Sequence, residues 1–538
     1  MIKVLSPDKL PHEVLAQKFK EAGIDYFAKD QYPQLDLEKL IADCDGLIVR
    51  SETKVTADLL DHAPKLKIVG RAGTGYDNID VYAATARGIV VENTPDANSL
   101  SAAEHTMALI YALARNISVA DASMKQGEWN RSRYAGAELS GKVLGIIGLG
   151  RIGELVARFA KAIGMEVVFH DPFISKERLQ GLGYTSLPLE DLLGKSDYVT
   201  IHVNLTDETR GMIDAEKLAL MRRDTKLLNV ARGGLVDENA LYDALKSNVI
   251  AGAAIDVFEP EPYKPKSPDK DLRKLEGKVI LTPHLGASTK EAQDRVARQI
   301  AEQIVLFFRE KRIINSVNAR EFSQDIKPYL GLVERMGYLA RTLVQGPISE
   351  VRLACYGGIA SSDISGISSV GLVGLLSGQV DSINIVNAPQ IAHHRGIRIS
   401  EERPPEQTDY RNMIGLEVLA NGAQPVNVRG ILFEGKTPRI VGLNGYTIEF
   451  EPDGTLLMTS HKDVPGVAGY IGTVLGKHQI NIATINLSRE SQGGKAIAVL
   501  KVDSSVPQEV IREIVNDTQK RFYDARQIVI PTKLSPIL

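Results

Sequence analysis

One stretch narrows the possible folds of this chain more than any other: Lys142-Val-Leu-Gly-Ile-Ile-Gly-Leu-Gly-Arg-Ile-Gly-Glu154. Lys142 to Ile147 has the continuous apolar character of a strand buried on both faces. Gly148, Gly150 and Gly153 form a tight turn, and Glu154 to Ile163 puts Leu155, Phe159 and Ile163 on one face of a helix. A second apolar strand, Met165 to His170, ends at Asp171. A dinucleotide site needs these parts in this order. The first glycine makes the turn, the second admits a pyrophosphate, and the third lets helix and strand pack closely. The helix N-terminus offers N–H groups to phosphate, and the acid hydrogen-bonds the adenine ribose. A carboxylate there repels the extra phosphate of NADP, so the cofactor expected is NAD.

At 538 residues the chain is too long for one core, and domain sizes imply about three or four domains. No apolar run reaches the roughly 18 residues of a membrane span, so no membrane partner is expected. A net charge of −3 argues against a broadly basic nucleic-acid surface, which leaves any anion to a local cluster of Arg and Lys. Cys44 and Cys355 are the only cysteines and stand far apart, so no metal site or disulfide framework is expected. That usage, with no signal segment at Met1 to Ser6, points to a reducing compartment, the cytoplasm.

Residues 1 to about 95 alternate short apolar strands (Lys3 to Leu5, Gly46 to Arg50, Lys67 to Gly70, Gly88 to Glu92) with helical patterns such as Thr56 to His62. This is the pattern of a parallel sheet covered by helices. Arg50-Ser51 and Arg71-Ala-Gly-Thr-Gly75 directly follow strands, where ligands of open sheets bind, and suggest an anion site. A long helix starts near Asn98, which can serve as its cap. Trp129 lies among loop arginines, as packing or as an interface anchor. A second βα series runs from 142 to 286, and a helix over Thr289 to Lys311 is expected to close a two-domain clamp. From about 312 to 450 the glycine-rich texture and short strand patterns, such as Val351 to Cys355, suggest a separate α/β domain without readable chemistry. From 454 the order strand, helix, strand, strand, helix, strand is ferredoxin-like, with a hairpin turn at Gln492 to Gly494.

Three residues of the second series each follow an apolar strand: Arg232, Glu261 and His284. Hydride transfer from an alcohol needs such a set. An Arg holds the substrate carboxylate, a His takes the hydroxyl proton as the C–OH becomes C=O, and a carboxylate on that His stabilises its charged form. The bland reading makes Arg232 and Glu261 a structural ion pair and His284 a loop histidine.

The chain resembles the D-isomer-specific 2-hydroxyacid dehydrogenases. The residues that carry the resemblance are Gly145 to Gly153, Asn229-Val-Ala-Arg-Gly-Gly-Leu-Val-Asp237, Ala254-Ile-Asp-Val-Phe258, Thr282-Pro-His-Leu-Gly-Ala-Ser-Thr289, Val49-Arg-Ser51, Arg71 to Gly75 and Asn98 to Glu104. The resemblance spans the whole chain and implies the long form of the family, which oxidises 3-phospho-D-glycerate with NAD as the entry to serine biosynthesis. It implies two Rossmann-like parallel-sheet domains forming a cleft, then an α/β intervening domain and a ferredoxin-like ACT domain. Their bounds would be 1–95 with 287–311 for substrate, 96–286 for NAD, 312–450 and 451–538.

The same resemblance implies that Arg232, Glu261 and His284 are catalytic. Thr74, Gly148, Gly150, Arg151, Ile152, Gly153, Asp171, Val203, Val230, Ala231, Asp256, Gly286 and Ala287 would form the NAD site with Arg232 and His284. Val203 replaces a polar residue and would offer only backbone, and Asp256 would lie near the carboxamide. Arg50, Ser51, Arg71, Gly73 and Asn98 would meet a phosphorylated 2-hydroxy acid. His461, Asp463 and Asn481 fall where ACT domains of this family bind L-serine, although they also fit a helix cap and a turn. A homodimer or homotetramer is implied, with Arg131 or Arg133 reaching a neighbouring subunit's site. Glu259 stands two residues before Glu261, and the lysine-rich segment 262–276 is longer than usual. Two alternatives stay open: a D-lactate or D-2-hydroxyglutarate type of dehydrogenase, and an NAD-sensing binding protein of the co-repressor kind.

Overall fold

The structure, a computed structural model, describes residues 1–31, 33, 36–174, 183–380, 382–405 and 408–532. The last residues of the expected ACT domain, 533–538, lie outside the described residues. Two compact units emerge: Met1–Lys54 with Gly70–Ile79 and Asn93–Val305, and Val55–Val69 with Asp80–Glu92 and Leu306–Leu538. No helix among the described residues is long and apolar enough to cross a membrane.

The first sheet holds β1 (Lys3–Ser6), β2 (Asp25–Ala28), β3 (Gly46–Val49), β4 (Ile68–Arg71) and β5 (Val90–Asn93) in the order β2-β1-β3-β4-β5. The pairs β1–β2 and β1–β3 are parallel. The edge strand β2 lacks a long apolar run and has no counterpart among the expected strands. In β4, Gly70 has no side chain because Ile300 and Ile304 of the helix Lys290–Glu310 occupy the place a Cβ would need.

The second sheet carries the dinucleotide signature. It consists of β6 (Val143–Ile147), β7 (Glu166–His170), β8 (Thr185–Ser186), β9 (Tyr198–Ile201), β10 (Lys226–Asn229), β11 (Gly252–Ile255) and β12 (Val279–Leu281). All neighbours pair in parallel, in the order β12-β11-β10-β9-β6-β7-β8. Strand residues alternate between two cores. Val168, Val199 and Leu227 pack with Leu192 and Leu241 on one face, and Ile146, Phe169 and Leu228 pack with Val156, Ala160 and Ile110 on the other. Burial on both faces explains the unbroken apolar runs. The order reverses at β6, flanked by β7 and β9, and the carboxyl ends beside such a reversal form a crevice for ligands.

In the second unit, β13 (Ile348–Gly357), β14 (Arg398–Glu402), β15 (Asn412–Ala420), β16 (Val426–Phe433), β17 (Thr437–Leu443) and β18 (Tyr446–Phe450) form a sheet in the order β14-β13-β15-β16-β17-β18. Only β13–β14 is parallel among these pairs. The expected short strands are corrected here: β13 has 10 residues and β15 has 9. Their polar residues alternate with buried ones, which breaks the apolar run without ending the strand. The glycines that coloured this region serve helix contact. Cβ atoms at Gly337 and Gly374 would strike Gly371 O and Glu334 O across the crossing of helices Leu330–Leu343 and Ile367–Leu376.

The remaining strands, β19 (Gly454–Lys462), β20 (Ile482–Arg489), β21 (Lys495–Val502) and β22 (Phe522–Ile530), are ordered β20-β21-β19-β22 and antiparallel. With helices Val467–Lys477 and Gln508–Val515 this is the ferredoxin-like arrangement, and Gly493 turns the hairpin at positive φ.

Glu92, in β5, gives this unit a pH dependence. It is fully buried, one oxygen accepts the Ile314 amide at 2.8 Å, and Oε2 has no partner among the described residues. Burial pushes its carboxyl up to about 8. Between its ordinary value of 4.5 and about 8 the unfolded chain is ionised while the folded chain keeps the proton, so stability falls as pH rises across that window. Glu92→Gln removes that loss. Its melting temperature should exceed that of wild type above pH 8 and converge with it near pH 4.5. A pH-independent difference contradicts this origin.

Candidate active site

The glycine turn follows β6 directly. Gly148 has φ +88°, and a Cβ there would press on His202 O and the Val203 side chain. At Gly153 a Cβ would strike Gly148 O at 2.2 Å, so helix Arg151–Ala162 can close on the turn only without a side chain. Gly150 faces open space, and the helix start carries no side-chain cap. Its amides are therefore available to a pyrophosphate, and the turn fits a dinucleotide. Arg151 pairs with Asp96. Asp171 closes the motif from the end of β7. Its carboxylate accepts the Leu149 amide at 2.9 Å and the Phe173 amide at 3.0 Å, which ties the end of β7 to the glycine turn.

A cavity of about 730 Å³ lies at the carboxyl ends of the parallel strands. Among the expected cofactor residues, Thr74, Ile152, Val203, Val230, Ala231, Gly286 and Ala287 line it. Gly148, Gly150, Arg151, Gly153, Asp171 and Asp256 do not. Arg50, Ser51, Arg71, Gly73, Asn98, Arg232, Glu261 and His284 all line it.

Successive strand ends deliver a histidine–carboxylate pair. His284 follows β12, and its Nδ1 lies 2.8 Å from Glu261 Oε2. The other Glu261 oxygen accepts the Phe258 amide at 3.1 Å. Burial pushes the Glu261 carboxyl up, but the hydrogen bond and charge of His284 outweigh it and hold it below the ordinary carboxylate value. Glu259 is engaged elsewhere, with Arg210 at 2.5 Å and Lys266 at 3.0 Å. Its amide donates to Glu238, a buried residue that anchors this turn.

Three guanidinium groups line the same cavity. Burial, then the charges of Arg232 and Arg50, pull Arg71 down to about 10. Its Nε is buried without a partner among the described residues. Arg232 Nε donates to Asp77 at 2.7 Å and Nη1 to Ala231 O at 2.6 Å. A Cβ at Gly75 would fall 1.5 Å from Arg232 Nη2, so this glycine makes room for the guanidinium. Arg50 Nη1 donates to Lys9 O at 3.3 Å. Cations packed this closely repel one another, and a multiply charged anion relieves that.

One expectation is corrected. Asn98 sits at the cap position of helix Ser99–Arg115 but makes no side-chain cap bond, because Thr74 Oγ1 donates to its Oδ1 at 2.6 Å. Asp256 is fully buried, and its oxygens accept hydrogen bonds from Thr282, Leu285 and Gly286. His105, Asp77 and Glu238 were not among the expected site residues. Asp77 had a signal in its place two residues after the Arg71–Gly75 motif, whereas a histidine inside a helix had none.

The expected effector residues do not converge within one chain. His461 is buried, with Nδ1 at 3.2 Å from Thr459 Oγ1. Asp463 accepts the Gly493 amide at 3.0 Å and an Arg489 hydrogen bond at 3.1 Å, both of which hold it below its ordinary value. Through β21, Arg489 lies level with His461 and Ile482 level with Thr455. Asn481 therefore stands at the opposite end of the sheet, roughly 20 Å from His461 at strand spacing, and donates to Asp503 at 2.6 Å.

Known proteins match this arrangement along the whole chain. Residues 107–286 match the model of the D-isomer specific 2-hydroxyacid dehydrogenase NAD binding domain. Residues 325–444 match the D-3-phosphoglycerate dehydrogenase intervening domain, and residues 455–517 match the ACT domain. The D-3-phosphoglycerate dehydrogenase of Methanocaldococcus jannaschii is 43% identical over 520 residues, 96% of this chain and 97% of its own. That of Bacillus subtilis is 40% identical over 522 residues, 96% of this chain and 98% of its own. Among solved structures, D-lactate dehydrogenase from Aquifex aeolicus complexed with NAD and lactic acid is 29% identical. It has a TM-score of 0.51, covering 57% of this chain and 96% of that one.

Replacing Asp171 tests the cofactor end. Loss of a charged hydrogen-bond acceptor corresponds to roughly ten-fold or more. Asp171→Ser should therefore lower the NAD-over-NADP ratio of kcat/KM by about ten-fold or more, read by steady-state kinetics with each cofactor. An unchanged ratio contradicts the assignment.

Proposed function

The chain belongs to the D-isomer specific 2-hydroxyacid dehydrogenases, in the long form with intervening and ACT domains, and from that premise we propose how its cavity oxidises 3-phospho-D-glycerate to 3-phosphohydroxypyruvate. It is an NAD-dependent dehydrogenase. Bound at the glycine turn, NAD supplies the hydride acceptor. His284 takes the hydroxyl proton at Nε2, since Nδ1 is engaged by Glu261. Glu261 fixes the ring and compensates the charge that His284 gains. Arg232 holds the substrate carboxylate beside the carbon that becomes a carbonyl. Arg50 and Arg71 take the phosphate.

The observation that carries this reading is the cluster of three guanidinium groups in the cavity. Arg50, Arg71 and Arg232 stand together with Asp77 on only one of them, and the buried Arg71 Nε has no partner among the described residues. A D-lactate type of substrate brings one carboxylate and engages only part of that cluster. A substrate charged at both ends meets it. The test is NAD turnover on a panel of 3-phospho-D-glycerate, D-2-hydroxyglutarate and D-lactate. Preference for D-lactate would remove the phosphate reading, and no turnover on any member would favour the binding-protein reading.

The domain bounds proposed are 1–95 with 287–311 for substrate, 96–286 for NAD, 312–450 for the intervening domain and 451–538 for the ACT domain. L-Serine is the proposed effector, recognised by His461, Asp463 and Asn481. Because Asn481 lies at the far end of the sheet, the reading requires Asn481 from a second copy beside His461 and Asp463. The edge position of β20 and the exposure of its Ile485 and Leu487 support such pairing. Trp129, 72% exposed and stacked by Arg131, supports a contact in the first unit as well, and a dimer or tetramer is the proposed assembly. The proposed compartment is the cytoplasm, supported by Cys44 and Cys355 both being buried free thiols.

A further inference from the structure

His284 holds an unusual backbone. Its φ is +55°, in the left-handed region that side-chain-bearing residues seldom adopt. Such a conformation persists only when its surroundings over-determine it, and it aims the ring that handles the proton. Three consecutive amides supply the constraint, and all of them end on Asp256. The His284 amide donates to Asp256 O at 2.8 Å, the Leu285 amide to Oδ1 at 2.8 Å, and the Gly286 amide to Oδ2 at 3.0 Å. The Leu285 and Gly286 amides converge on the carboxylate as a nest, which is as rigid as the anion is fixed, while the His284 amide bonds the backbone carbonyls of Asp256 and Thr282.

Asp256 is fully buried, so its own orientation needs support. Thr282 Oγ1 donates to Oδ1 at 2.6 Å. His105 Nε2 lies 3.2 Å from the same oxygen and 3.3 Å from Thr282 Oγ1. Among the described residues, His105 is the one side chain able to carry positive charge within hydrogen-bond distance of Asp256. It stands in the helix Ser99–Arg115 and is not one of the cavity-lining residues. Burial pushes the Asp256 carboxyl up, but the hydrogen bonds from His105, Thr282 and Leu285 outweigh it and hold it below its ordinary value. An anion so enclosed loses its fixed geometry when a donor is withdrawn.

We infer that His105 is a positioning residue for the reaction: through Asp256 and Thr282 it holds residues 284–286 in the conformation that aims His284 at the substrate hydroxyl. The inference rests on the proposed role of His284. Packing alone would explain a helix histidine, but it does not require a donor on Oδ1. The two explanations therefore separate on the chemistry of the replacement.

The test compares His105→Leu, which fills space without a donor, with His105→Gln, which keeps an N–H. Displacing reacting groups by a fraction of an ångström costs about ten-fold or more in rate. His105→Leu should lower kcat by about ten-fold while KM for 3-phospho-D-glycerate stays at its wild-type value, and His105→Gln should recover most of the loss. In the protein without substrate or cofactor, hydrogen exchange across Leu285 and Gly286 should speed up in His105→Leu and not in His105→Gln. Thr282→Val removes the neighbouring donor and should reproduce both effects, which keeps the test available if His105→Leu fails to fold. Wild-type kcat and exchange in both donor-less variants would overturn the inference. So would equal losses in His105→Leu and His105→Gln. Failure of the wild type to turn over any 2-hydroxy acid would instead strike the proposed function, and the exchange measurement would still decide the role of His105.

Discussion

His284→Asn should lower kcat by about a thousand-fold, the size expected when a positioned general base is lost, with the melting temperature unchanged. The ring lies at the cavity surface, 39% exposed, so its removal leaves no buried void. Glu261→Gln loses less, about ten-fold to a hundred-fold, because the amide still bonds Nδ1 but no longer compensates a charged ring. The two effects should be far from additive, since Glu261 acts through His284. Steady-state kinetics on both single variants and the double variant read this directly. A double variant as slow as the product of the two single losses would separate Glu261 from the proton transfer.

Arg232→Ala should lower kcat/KM by about a thousand-fold, the cost of leaving a carboxylate without its charged partner in a desolvated site. Arg232→Lys recovers little of it. The guanidinium is set by two bonds in fixed directions, Nε to Asp77 and Nη1 to Ala231 O, with Nη2 over Gly75. An ammonium group on a flexible stem cannot reproduce that fork. Measuring kcat and KM separately matters, because loss of carboxylate binding alone raises KM, whereas loss of carbonyl polarisation also lowers kcat. Wild-type kcat/KM in Arg232→Lys would contradict the role given to the fork.

The parts of this site that could be read from the sequence share one physical cause. Parallel strands buried on both faces are unbroken apolar runs, so the residue after each run marks the carboxyl edge. That rule places Arg50, Asp171, Arg232 and His284 at or just past strand ends, as the structure has them. It fails for edge strands: β2 and β8 lack the continuous run, and they went unread. It fails again in the intervening sheet, where alternation of polar and buried residues made β13 and β15 look short. Contacts distant in sequence were also beyond reach. Thr74 takes the Asn98 side chain that helix capping would otherwise use, His105 reaches Asp256 across 151 positions, and strand register separates Asn481 from His461.

A cavity built for a substrate charged at both ends must distinguish a hydroxy acid from its phosphate ester. The quantity is the ratio of kcat/KM for 3-phospho-D-glycerate over D-glycerate, in wild type and in Arg50→Ala. The expected wild-type preference is about a hundred-fold or more for the phosphorylated substrate, collapsing towards unity in Arg50→Ala, while turnover of D-glycerate is little changed. Equal use of the two substrates by the wild type, or a preference that survives in Arg50→Ala and in Arg71→Ala, would contradict it.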